Sequence, residues 1–330
     1  MFKTEIVKNI NSEEWDKLLL NSREATVFHT KEWLSVLEKT YTDRTIHYII
    51  GRDQNGNLIC GLPLIEYRQF GFSVFTSTIW GTPLLLNNMD ESIREKVLKK
   101  FSELYKKINV IYLSQSDYSN KCQYLKNLGF ECKNDFLHLL ELRPPFNRLY
   151  EEIFKRCIRK NVRSATEKGI VLEEVKNISQ VEQYYNIAAD TYLRHGDKMR
   201  YSLDFYKNIF NIMSPKMLIK WHLAKKDNIV VAGTLHFIYK DMIFDFLNAS
   251  HKEYQNLRPN DLLVYSMIKW GVENGYKYYN FGASPSEAKG LIRFKENWGA
   301  KKVEYLIYEK KSTLFKVERF LRNKWIKIKC

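Results

Sequence analysis

The stretch IHYIIGRDQNGNLICGLPL (46–64) decides how the rest of the chain is read, because IKWHLAKKDNIVVAGTLHF (219–237) repeats its plan far downstream. In the first, two apolar-rich runs flank Asn55-Gly56, a dipeptide that suits a tight hairpin turn because glycine tolerates positive φ. Each second strand carries a small-residue–Gly step, Ile59-Cys60-Gly61 in one and Val231-Ala232-Gly233 in the other, 172 residues apart (233 − 61). A second pair of matches comes in the same order. YLKNLGFECKNDFLHLLEL (124–142) runs from a helix end through Leu128-Gly129-Phe130 into a strand, and RFKENWGAKKVEYLIYE (293–309) does so through Trp298-Gly299-Ala300, 170 residues apart (299 − 129). In both, the pattern predicts a left-handed glycine that stops the helix and then a half-buried strand. Matches at nearly one offset point to an internal duplication.

The expected fold class is therefore α/β (α+β), with two tandem units, each a mixed, mostly antiparallel sheet flanked by helices. A chain of 330 residues is long enough for two domains. The boundary is expected at Arg143-Pro144-Pro145, because two prolines remove two backbone donors and bias the preceding residue away from helix. That gives domains over 1–144 and 145–310, followed by a basic amphipathic helix over 311–330.

Composition narrows the function classes. Lys and Arg outnumber Asp and Glu by 53 to 38, a formal charge of +15 that favours anionic partners such as RNA, nucleotide phosphates or an acidic membrane surface. The five cysteines are odd in number and lack a C-x-x-C pair, and the seven histidines are scattered with no H-E-x-x-H, so neither a disulfide framework nor a metal site is expected. Nowhere do 18 apolar residues run together, and the opening MFKTEIVKNINSEEWDKLLL has acids where an export signal needs an apolar run. A cytoplasmic protein without a spanning helix is expected.

The hairpin with its small-residue–Gly step, followed by helix, glycine and strand, resembles the GNAT N-acyltransferase fold, here present twice. With FHTKEWLSVL (28–37), IRKNVRSATEKGI (158–170), and NFGAS (280–284) ahead of GLIRFKENWGA (290–300), the chain is similar to the Fem family of tandem GNAT proteins over roughly residues 20–310. The resemblance implies an enzyme that moves an aminoacyl group from aminoacyl-tRNA to an amine on a nucleotide- or lipid-linked envelope peptide or glycan, with no tightly bound cofactor and no role for DNA. Two departures bear on the acceptor. Leu84-Leu85-Leu86 follows Trp80-Gly81-Thr82-Pro83 where precursor-binding members place an Asp, and Val36 and Leu37 stand near Trp33 where those members carry a phosphate-binding Lys.

The resemblance places the catalytic position at Lys295, in the pair Phe294-Lys295, there to stabilise the transition state or hold the tRNA end. Aligning Gly129 with Gly299 supports this independently, because it sets Leu125 opposite Lys295 and Tyr124 opposite Phe294, so the fold itself does not require a cation. In TYLRHGDKMRYSLDFY (191–206), Arg194 and Arg200 bracket a His-Gly-Asp turn, and the resemblance implies substrate-phosphate contacts there, a task that suits the planar guanidinium. His195 and Asp197 are candidate proton acceptors, unless the substrates shuttle the proton themselves.

The helix after the boundary gathers Phe154, Ile158, Val162 and Ala165 in a sector of about 80°, with Arg156, Arg159, Lys160 and Arg163 opposite, a basic face suited to phosphates. For coenzyme A the loop before a helix normally carries glycines whose N–H groups hold the pyrophosphate. Here the equivalent Gln255–Asp261 has no glycine, Pro259 lacks a donor and Asp261 repels phosphate. In MIFDFLNAS (242–250) the strand backbone at Asn248 and Ala249 is the candidate partner of the acyl carbonyl. Gly282 and Ser284 in NFGAS suit a close backbone approach to substrate. The tail spaces Leu314, Val317, Leu321, Trp325 and Ile328 at three and four among basic residues, which fits peripheral contact with an anionic membrane through 311–330. Two other readings stay open: an acyl-CoA-dependent N-acyltransferase acting on an amino sugar in polysaccharide biosynthesis, and a non-catalytic tandem domain that binds RNA or membrane.

Overall fold

In the computed structural model the described residues are 3–23, 25–77, 85–86, 97, 99, 103, 110–115, 126–127 and 129–329. Residues 80–84, Cys122, Tyr124, Leu125, Leu128 and Cys330 lie outside them.

In chain order the elements begin with β1 (Lys3–Val7), α1 (Ser12–Asn21), α2 (Lys31–Thr40), β2 (Thr45–Arg52), β3 (Leu58–Gln69), β4 (Phe72–Ser77), β5 (Leu85–Leu86) and β6 (Val110–Gln115). Then come β7 (Glu131–Glu141), α3 (Arg156–Glu167), β8 (Val171–Glu174), α4 (Ile178–Arg194), α5 (Leu203–Met213), β9 (Ile219–Lys226), β10 (Ile229–Tyr239) and β11 (Met242–Ser250). The chain continues through α6 (Pro259–Glu273), β12 (Tyr278–Ala283), α7 (Lys289–Asn297), β13 (Lys301–Lys311) and α8 (Thr313–Lys329).

The chain forms two compact units, one of Met1–Asp135 with Glu304–Cys330 and one of Phe136–Val303. Strand order in the first is β1-β2-β3-β4-β6-β13, with β5 on β3; in the second it is β8-β9-β10-β11-β12-β7. The two paths have the same plan. Each holds antiparallel hairpins and one parallel pair, β4 with β6 over Val74–Thr76 and β11 with β12 over Met242–Phe244.

The chain passes between units inside β7 and β13, not at Pro144. The reason is hydrogen bonding: Leu137, Leu139, Leu140 and Glu141 pair with β12, so the strand ahead of the prolines already belongs to the second sheet. Likewise Leu306–Lys311 pair with β6, which brings the strand after Gly299 into the first sheet.

The repeat has a packing counterpart. Gly61 and Gly233 each lie under an aromatic ring from a helix on the sheet face, Trp15 of α1 and Tyr184 of α4, at a distance that leaves no room for a Cβ. The predicted turn glycines are also in place, with φ of +82° at Gly56, +80° at Gly129 and +81° at Gly299. One core, around Ile49, Leu62, Leu64, Ile111, Leu113 and Tyr308, fills the first unit. In the second unit, α3 buries Ile158, Val162 and Ala165 against the Leu263 and Ile268 core of α6, as the amphipathic pattern predicts.

Candidate active site

The second unit brings its buried polar groups together where β11 and β12 part. Pairing between these parallel strands covers Met242–Phe244 against Tyr278–Asn280, and Asp245 is the first residue beyond it on β11. Bulges stand on both sides of the split. In β11, Leu235 pairs with Leu247 and His236 with Asp245, so Phe246 is an extra residue. In β12, Asn280 pairs with Leu139 and Ala283 with Leu137, so Phe281 and Gly282 oppose His138 alone. The extra length requires a positive φ of 70° at Gly282, whose N–H donates to Asn280 Oδ1 at 2.8 Å. Bulges of this kind bend strands and re-aim side chains.

Lys295 reaches this place from the last turn of α7. Two residues just past the helix hold it in position: Trp298 is fully buried with its ring 5.0 Å from Phe154, and Gly299 takes the left-handed conformation that ends the helix. Lys295 is thereby turned inward and is only 5% exposed. Its Nζ donates to the carbonyls of Gly282 and Ala283, both at 2.9 Å. An ammonium has three N–H donors, so one remains without a protein partner among the described residues.

A buried carboxylate stands at the same split. Asp245 is 7% exposed and accepts from Asn248 Nδ2 at 2.8 Å on each oxygen and from the Tyr279 hydroxyl. Because the carboxylate only accepts, Tyr279 donates to it, and the phenol oxygen accepts from His236 Nε2 at 2.7 Å. The same logic points the Asn248 amide nitrogen at Asp245 and leaves Asn248 Oδ1 buried and unpartnered. Burial pushes the Asp245 carboxyl up to about 6, opposed by the Asn248 hydrogen bond and the Lys295 charge. Burial pushes Lys295 down to about 8, opposed by Asp245. His138, fully buried with both ring nitrogens unpartnered, is lowered by burial and then by the nearby Lys295 charge. Ser284 Oγ is also buried without a partner.

Of the residues expected from sequence, Lys295, Gly282, Ser284 and Asn248 lie in this region. Ala249 is buried beside it and pairs with Gly233. Phe294 is half-buried and packs 6.3 Å from Trp298, so its ring supports the helix. Arg194 is already bonded, donating to the Ser250 carbonyl at 3.0 Å and pairing with Asp190 at 3.4 Å. Arg200 is exposed, 5.5 Å from the Tyr201 ring centroid. His195 and Asp197 are exposed in the turn after α4. On α3, Arg156, Lys160 and Arg163 are exposed, whereas Arg159 is drawn inward to the carbonyls of Glu151 and Phe154.

Sequence reasoning missed Asp245, Tyr279 and His236. A charged residue inside the apolar run MIFDFL was the available signal.

At the head of α6, where a coenzyme A pyrophosphate would bind, the residues do not fit that group. Arg258 is left-handed, Pro259 has no N–H, and the Asp261 carboxyl is 6% exposed, pushed up to about 6 by burial.

Residues 154–295 match the family described as acetyltransferase (GNAT) domain. Over 84 residues the chain is 34% identical to the lipid II:glycine glycyltransferase of Staphylococcus haemolyticus; the match covers 23% of this chain and 20% of that protein. The chain thus spans about a fifth of that relative's length. The crystal structure of FemX superposes with a TM-score of 0.74 at 16% identity, over 92% of this chain and 96% of that one. A tandem GNAT protein from the clavulanic acid biosynthesis pathway gives 0.59 at 10% identity, over 93% and 98%. The duplicated sheet, with its split between β11 and β12, thus has the fold of these solved structures, and residues 154–295 carry the likeness to the GNAT domain family.

Proposed function

We propose that this protein transfers an aminoacyl group from aminoacyl-tRNA to an amine on a cell-envelope peptide or glycan precursor, with Lys295 as the catalytic cation. The observation that carries this is the Lys295 ammonium, buried at the strand split with one N–H left over. As the acceptor nitrogen attacks the ester carbonyl, negative charge develops on the carbonyl oxygen. A fixed donor in a site shielded from water is strongest there, worth ~3–4 kcal/mol. Proximity of the bound substrates supplies much of the remaining acceleration.

The misfit of the α6 head to a pyrophosphate supports a tRNA donor over acyl-CoA, and the exposed Arg156, Lys160 and Arg163 suit a nucleic acid backbone. The matched family's description as an acetyltransferase domain favours acyl-CoA as donor, the donor of the second reading, in which the acceptor is an amino sugar. The acceptor is in our reading a lipid-linked or nucleotide-linked precursor, met at the inner face of the membrane by a cytoplasmic protein. Among the described residues no helix is long and apolar enough to cross a membrane. The contact is instead assigned to the basic helix α8, with Leu314, Val317, Phe320 and Leu321 exposed along it.

The test incubates the purified protein with tRNA charged with labelled glycine, in parallel with labelled acetyl-CoA, in the presence of lipid II or glucosamine-bearing acceptors. Transfer from charged tRNA that falls about 10²–10³-fold in Lys295→Ala supports the reading. Transfer from acetyl-CoA alone, or full activity of the variant, overturns it.

A further inference from the structure

Resting on the reading of aminoacyl transfer, we infer that Asn248 and Thr234 recognise the α-amino group of the acyl moiety, so that the site selects an aminoacyl over a plain acyl donor. The geometry begins with Asp245, whose two oxygens each accept from Asn248 Nδ2 at 2.8 Å. Because a carboxylate only accepts, this fixes which way the amide is turned and sends Oδ1 away from Asp245. There it is buried without a protein partner among the described residues. Thr234 of β10 pairs directly with Asn248 across the hairpin, so the two side chains are neighbours on one face of the sheet. Thr234 is fully buried, and its Oγ1 likewise has no partner among the described residues. Two oxygens thus stand together on the β11 side of the split without bonding to each other.

An amide oxygen can only accept, so the ligand that satisfies Asn248 Oδ1 must carry an N–H or O–H. The hydrogen bonds from Nδ2 to a carboxylate also draw electron density toward Oδ1 and make it a stronger acceptor. An acetyl group has no such donor, whereas the α-amine of an aminoacyl group has N–H bonds for both oxygens. Lys295, held by the β12 carbonyls, supplies the donor for the acyl oxygen, and the β11 side supplies the acceptors for the amine. The fold does not need the hydroxyl. Thr234 follows Gly233 as Leu62 follows Gly61, and Leu62 is fully buried in the apolar core of the first unit. A buried hydroxyl left without a partner costs stability that a methyl group would not, so a ligand explains its retention better than packing does.

The experiment measures the affinity of the full chain for two tRNAs of one sequence that end in a stable 3′-amide, one bearing a glycyl and the other an acetyl group. The parent is expected to bind the glycyl form about 10–100-fold more tightly. Thr234→Val, nearly the same in shape, should lose most of that preference, and Thr234→Ser, which keeps the hydroxyl, should retain it. Asn248→Leu reports on the other oxygen in the same way and serves if Thr234→Val fails to fold. Equal affinity of the parent for both tRNAs, or an undiminished preference in either folded variant that lacks its oxygen, overturns the inference and leaves transfer from tRNA standing. A parent that binds neither tRNA and transfers only from acetyl-CoA overturns the aminoacyl reading itself, and the inference with it.

Discussion

Gly233 lies directly against the ring of Tyr184, where a Cβ would stand 2.6 Å from Tyr184 Cδ2 and 3.0 Å from Leu223 Cδ2. Gly61 has the same relation to Trp15, with 2.5 Å to Cζ3. Both rings are fully buried and cannot swing aside. Gly233→Ala and Gly61→Ala are each expected to lower stability by about 1–3 kcal/mol through overpacking. Denaturant titration checks this, and a change within error at both sites would show that the rings give way.

Activity is expected to fall as pH rises through the alkaline range. The Asp245 carboxyl is raised to about 6, so its negative form is gained as pH rises through that value. Lys295 is lowered to about 8, so its positive form is lost as pH rises further. Transfer that uses the Lys295 ammonium should therefore fall where that charge is lost. A rate that keeps climbing past pH 9 would remove the requirement for an ammonium.

Asp261 offers a stability test away from the site. Its folded pKa is raised to about 6 by burial, so its contribution is favourable at low pH, where it is protonated, and is lost as pH rises through about 6. Asp261→Asn should then stabilise the protein by about 1–3 kcal/mol at pH 8 and give no gain at pH 4. Melting curves at the two pH values decide it.

On α3, reversing Lys160 and Arg163 to Glu should weaken tRNA binding and lower the slope of log affinity against log salt by ~1–2. Both side chains are exposed, so folding should be unaffected. Equal salt slopes in variant and parent would move the RNA surface elsewhere.

Helix α8 is anchored by Phe315, which is fully buried with ring centroids 5.5 Å from Phe72 and 6.1 Å from Phe70. Leu314 and Leu321 point outward, 67% and 52% exposed. Replacing both with Ser should reduce sedimentation with vesicles rich in phosphatidylglycerol about tenfold while leaving the melting point alone. Unchanged sedimentation would confine this helix to a packing role.

The sequence made the hairpins, the turn glycines and the burial of α3 legible, because each depends on neighbours within a few residues. It singled out Lys295 through resemblance, and Gly282 and Ser284 as a loop suited to close backbone approach. It did not reveal Asp245, Tyr279 and His236 as one cluster, since they stand on three strands whose adjacency depends on pairing and on two bulges that no local pattern encodes. Arg194 and Arg159 read as free cations in the sequence, yet nearby carbonyls take up their donors. The boundary at Pro144 failed to coincide with the change of unit for a related reason: prolines end a strand, but the partner of that strand is chosen by distant residues.

The strand that closes the first sheet, Leu306–Lys311 against β6, is encoded after the whole of the second unit. During translation, then, the unit begun first must wait with an open edge on β6 until its sibling has left the ribosome. A gene cut at its apparent midpoint would encode a front half that lacks the last strand of its own sheet.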